Sequence, residues 1–115
     1  MNSDEITFTK LEKHVTRDIN NKHENGSLTV VWRDWDKILP IIPKMVYVSS
    51  INSREIKGPH IHKKRNSYFT CIHGKVIFII RQNDGTYTEI ESSSETPNLI
   101  QIPKNFASAH INISN

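Results

Sequence analysis

The apolar residues of the chain fall in short runs of period two rather than at helical spacing. "SLTVVWR" (27–33), "MVYVSSI" (45–51), "SYFTCI" (67–72), "KVIFIIR" (75–81), "TYTEIE" (86–91), "LIQI" (99–102) and "HINIS" (110–114) are rich in Val, Ile, Thr, Tyr and Phe, and each predicts a strand. Asn25-Gly26, Gly58-Pro59, His73-Gly74, Asp84-Gly85 and Pro97-Asn98 supply turn signals between the runs. Only "DWDKIL" (34–39) suggests a helical turn. Seven or eight short strands at roughly ten-residue spacing predict an all-β domain, an antiparallel sandwich or small barrel in which alternate residues face inward.

Composition narrows this picture. A chain of 115 residues is a single domain, 1–115, and builds only one modest core, so a homodimer is expected. The net charge of +3 is mild and unclustered. It suits an anionic small molecule and argues against nucleic acid as a partner. The "HKKR" run (62–65) is too short to change that. Cys71 is the only cysteine, so no intrachain disulfide forms, in keeping with a reducing, cytoplasmic setting. In a strand interior Cys71 is expected to be a small buried apolar residue. The opening "MNSDEITFTK" lacks the apolar stretch of a secretory signal, and no run approaches the roughly 18 apolar residues of a membrane span.

Candidate chemistry centres on "KGPHIH" (57–62), where His60 and His62 share strand parity and therefore one face. Three uses are open: a metal clamp, an acid/base pair, or two polar residues on an exposed edge. A mononuclear transition-metal site takes three or four ligands, and here the third would have to be His110. Acid/base work needs less. A proton next to a ketone calls for a base that titrates near neutrality, which imidazole does, and a donor for the enolate oxygen. Trp32 and Trp35 fit the core or a dimer contact better than a sugar or base platform.

At this stretch the sequence resembles a family. Gly58-x-His60-x-His62-x4-Ser67-x6-Gly74 is similar to the first cupin signature, with Ser67 in place of its glutamate. "IPKNFASAH" (102–110) resembles the second, with Asn105 in place of its glycine and Ser108 in place of its histidine. Within the cupins, "KGPHIHK" is similar to the Arg-Gly-x-His-Ala-His-Lys of dTDP-4-keto-6-deoxyglucose 3,4-ketoisomerases. "KGPH" and "IPKNFASAH" are also similar to segments of dTDP-4-dehydrorhamnose 3,5-epimerases. "NGSLTVVWRDW" and "KMVYVSSI" resemble the strands that precede the motif in these enzymes, so the likeness spans roughly residues 18–114.

The resemblance implies a small antiparallel cupin-type β-barrel (jelly roll) that isomerises a nucleotide-linked 4-keto-6-deoxy sugar in deoxysugar or surface polysaccharide biosynthesis. It makes His60 the base and His62 its assistant, with Lys57, Tyr47, Arg65 and Ser67 binding substrate and no cofactor required. Lys57 stands where the family has a substrate-binding arginine, though as a point charge without arginine's fork. The chain stops at Asn115, before the segment in which the epimerases keep a catalytic tyrosine. The expectation is a chain lacking that C-terminal segment, which weighs against 3,5-epimerisation more than against ketoisomerisation. Two alternatives stay open: a divalent-metal cupin using His60, His62 and His110, and a sugar-nucleotide-binding module without catalysis.

Overall fold

The computed structural model describes residues 5–35, 39 and 42–115. Its nine strands are β1 (Thr7–Lys10), β2 (Lys13–Arg17), β3 (Glu24–Thr29), β4 (Ile56–Ile61), β5 (Ser67–Phe69), β6 (Lys75–Arg81), β7 (Tyr87–Ser93), β8 (Asn98–Ile102) and β9 (Ala107–Asn112). They form a three-stranded sheet β1-β8-β5, a four-stranded sheet β4-β9-β6-β7 and a separate β2-β3 ribbon. Every pairing is antiparallel. The all-β antiparallel expectation holds, in keeping with a small cupin-type jelly roll. The sheets pack face to face, and no continuous ladder closes them into a barrel among the described residues.

Period-two patterning sets the core. On β6, Phe78 and Ile80 point inward, Ile90 joins them from β7, and Ile100 and Ile102 close the cluster from β8. Ile80 and Ile100 are fully buried. Burying such a side chain stabilises the fold by about 1.5–3 kcal/mol. Phe69, Val76, Phe106 and Ile6 pack around the cluster. Cys71 is buried as expected. Burial pushes its thiol pKa up, against the opposing effect of its hydrogen bond to the His73 carbonyl at 3.2 Å.

Several expectations fail for physical reasons. "MVYVSSI" (45–51) has strand periodicity but joins no sheet among the described residues, and Met45, Val46, Tyr47 and Val48 are all exposed. Asn25-Gly26 lies within β3 and makes no hairpin loop; the chain reverses instead over Asp18–His23, where the Asp18 N–H donates to the His23 carbonyl at 2.9 Å. Gly58-Pro59 is likewise internal to β4. Asp34 and Trp35 form a turn, whereas 36–38, the rest of the expected helical turn save Leu39, lie outside the described residues.

Candidate active site

Residues 57–61 of the "KGPHIH" stretch lie in β4, the edge strand of the four-stranded sheet, and His62 follows its end, so the two histidines do not stand on one strand as their parity predicts. Its ladder with β9 pairs Lys57 with His110 and His60 with Ser108, so three steps along β4 match two along β9. The irregularity is a β-bulge at Gly58-Pro59, where the peptide bond is cis. Gly58 has φ +112°, and a Cβ there would lie 2.8 Å from the Ser108 carbonyl oxygen and 2.9 Å from Ala109 Cα. Only glycine permits that approach. Pro59 lacks an N–H, which an edge strand tolerates.

The bulge turns Lys57 and His60, of opposite parity, to one face. Residues directly opposite in a ladder share a side. On the other flank of β9, His110 faces Phe78 and Ser108 faces Ile80, both core residues. Lys57, His60, Ser108 and His110 therefore line the inner face of the sheet at its β4 edge. Ser67 and Phe69 on β5 approach from the facing sheet, opposite the core residues Ile102 and Ile100. The His110 ring lies 5.3 Å from Phe78 and 6.1 Å from Phe69. Tyr68 pairs with Gln101 in the ladder; its hydroxyl is buried with no hydrogen-bond partner among the described residues, and burial raises its pKa.

The histidines differ in setting. His60 is exposed, whereas His62 and His110 are half-buried. Arg65 Nη2 donates to His62 Nε2 at 3.3 Å. Because guanidinium only donates, Nε2 accepts and the proton of the neutral ring sits on Nδ1. Burial, then the Arg65 charge, then His60, hold the His62 pKa below 6.5. Burial is also the main cause of a lowered pKa at His110, followed by Lys57 and His60.

The other expected substrate contacts are placed less directly. The Lys57 ammonium donates to Ser49 Oγ at 3.1 Å, which draws it toward the exposed segment that carries Tyr47. Arg65 lies against His62. Among the described residues no three His, Cys, Asp or Glu side chains converge to hold a metal ion, so His60, His62 and His110 are not gathered into the ligand set considered above. His110 instead belongs to the site as an aromatic-flanked imidazole. Its signal in the sequence was its parity with Ser108 in the second motif.

That motif has a mechanical role. The Asn105 N–H donates to the His62 carbonyl at 2.7 Å, and the Lys104 N–H donates to Asn66 Oδ1 at 2.9 Å. Asn105 has φ +74°, the left-handed conformation for which the motif ordinarily uses glycine and which asparagine tolerates. The loop after β4 is thereby tied to the turn before β9.

Facing antiparallel sheets, with a histidine pair at a bulged edge strand and a spaced glycine after it, define a cupin-type domain. Residues 4–115 match the family described as FdtA, WxcM-like, C-terminal, a cupin-type domain of dTDP-sugar isomerases and epimerases, and the chain belongs to that family. No curated protein matches the chain. Among the described residues no helix is long and apolar enough to cross a membrane.

Proposed function

We propose that the protein is a nucleotide-sugar isomerase acting on a dTDP-4-keto-6-deoxy sugar, of the 3,4-ketoisomerase type ahead of the 3,5-epimerase type. The observation that carries this is the shared inner face of Lys57 and His60, one an ammonium group and the other an accessible imidazole. His60 removes the proton at C3, the electron pair forms the C3–C4 double bond, and charge gathers on the C4 oxygen. Lys57 and the Nδ1–H of His62 stabilise that oxygen. A proton then adds at C4, with His62 assisting, while the C3 hydroxyl gives up its proton as the C3–O bond becomes the carbonyl and the C4 oxygen takes one to become the hydroxyl. No oxidant enters, and no metal is required of these residues.

The test is proton exchange. In D2O the unaltered protein exchanges the C3 proton of a dTDP-4-keto-6-deoxy sugar, and His60→Asn abolishes the exchange while folding normally. Exchange undiminished in that variant removes His60 as the base. Tight binding with neither exchange nor product selects a non-catalytic sugar-nucleotide module.

We further propose a homodimer. The β2-β3 ribbon is a two-stranded sheet of its own, and such ribbons are marginal alone. Val15, Ile19 and Leu28 on it are exposed, as are Val31, Trp32 and Met45–Val48 beyond it. This much bare apolar surface supports a partner of the same kind. Sedimentation equilibrium at micromolar concentration checks it, and a monomer there refutes it.

A further inference from the structure

Along the chain the positive charge is spread thinly, but the fold gathers it at one end of the candidate site. From Ile56 to Asn83, and again from Thr96 to Asn115, the chain carries no Asp or Glu. Lys63, Lys64 and Arg65 stand in the loop between β4 and β5, and Lys104 in the turn between β8 and β9. Two bonds sew these segments together: the Asn105 N–H to the His62 carbonyl at 2.7 Å, and the Lys104 N–H to Asn66 Oδ1 at 2.9 Å. The three cations of the loop lie between those two anchor residues. All four are exposed, and Lys63, Lys64 and Lys104 have no carboxylate partner among the described residues. The carboxylates of the same sheet, Glu89 and Glu91, stand on its far edge strand β7, where Lys75 already pairs with Glu91 at 3.2 Å.

Like charges gathered without counter-charges repel, a cost that a bound anion removes. The cluster borders the site, since β4 pairs Ile61 with Ala107 and His60 with Ser108 just before the loop begins. Lys63 follows His60 by three positions, a reach of about 10 Å at full extension. We propose that Lys63, Lys64 and Lys104 form a seat for the diphosphate of the sugar nucleotide. This rests on the sugar-nucleotide reading above and deepens it. The sugar then lies at His60 on the inner face, and the nucleotide leaves across the 62–66 loop. Lysine binds phosphate as a point charge, and several on flexible stems suit the spread charge of a diphosphate better than one rigid fork. Arg65, engaged with His62, borders the seat, and Lys57, on the other side of the bulge, stays with the sugar. The two backbone ties keep the seat in register with His60.

The experiment measures dTDP affinity by calorimetry for the unaltered protein and for two triple variants. One is Lys63→Gln/Lys64→Gln/Lys104→Gln; the other, Lys10→Gln/Lys22→Gln/Lys44→Gln, loses the same net charge elsewhere. The first keeps its backbone ties, because Lys104 gives its N–H and not its ammonium to Asn66. An exposed ion pair contributes about threefold, so the seat variant should bind dTDP about 30-fold more weakly. The control should stay within about twofold, and salt should weaken binding to the unaltered protein more steeply than to the seat variant. Inorganic pyrophosphate should compete with dTDP on the unaltered protein. Absent dTDP binding, unweakened binding in the seat variant, equal weakening in the control, or indifference to pyrophosphate overturns the seat. Failure of the isomerase reading looks different: dTDP binds with the charge dependence above, yet the unaltered protein exchanges no C3 proton.

Discussion

Lys57 and His60 lie on one face of β4 although three positions separate them, because the ladder to β9 skips a step between His110 and Ser108. In a regular strand the two side chains would point to opposite sides. The site therefore depends on a backbone irregularity as much as on its side chains.

Gly58→Ala tests that dependence. The new Cβ meets backbone atoms of Ser108 and Ala109 inside 3 Å, at a φ that L-residues avoid. We expect a loss of about 1–3 kcal/mol in urea unfolding, with C3 exchange falling further than stability alone explains. A variant with full exchange would show that the alignment of Lys57 with His60 is dispensable.

Lys57→Gln removes the cation while keeping much of the stem. A charge-assisted hydrogen bond contributes about 1.5–3 kcal/mol, so KM or transition-state binding should worsen about 10- to 100-fold. Steady-state kinetics on the 4-keto sugar nucleotide measures it. Parent-like constants would leave Lys57 with only its bond to Ser49.

Acid should destabilise the protein, for a reason that can be signed. His62 and His110 both have pKa values lowered from 6.5, chiefly by burial, so between the lowered values and 6.5 the folded chain binds fewer protons than the unfolded one. Stability rises with pH wherever the unfolded state holds more protons. It is complete above 6.5 and is lost as pH falls through that window. Urea midpoints measured from about pH 8 down to about pH 5 should decline, and His110→Gln should flatten the decline. A midpoint that climbs on acidification contradicts the account.

Ile100→Ala probes the core directly. The side chain is fully buried at the centre of the cluster. Truncation leaves a cavity and should cost about 2–5 kcal/mol. Urea unfolding gives the number, and a cost below about 1 kcal/mol would mean that the site collapses around the gap.

Exhaustive dialysis against a chelator is expected to leave C3 exchange unchanged. Loss of exchange that a divalent transition metal restores would return His60 and His62 to the role of ligands.

What was legible in the sequence follows from which forces act locally. β6 carries strong alternation and buries one side of it, so period and outcome agree, whereas β8, central in its sheet, is buried on both faces from Leu99 to Ile102. β1 and β2, "TFTK" and "KHVTR", hold one apolar residue each, and only their pairing makes them strands. "MVYV" shows the converse, a strand pattern that no strand among the described residues pairs with. At the site, the histidine pair was visible at once, as was the place of Lys57 through its likeness to the family. The bulge that joins Lys57 to His60 was not, because Gly-Pro signals a turn and an edge-strand irregularity equally well. Nor did the sequence disclose that Arg65 is held by His62, a contact that depends on how the loop folds back.

The ties from the turn at 103–105 to the loop at 62–66 give the two motifs a common fate. Each motif looks degraded alone, yet each positions the backbone of the other through Asn105 and Asn66. For anyone grafting this site onto another scaffold, the transferable unit is the discontinuous pair. The histidine segment moved alone would arrive without its anchor.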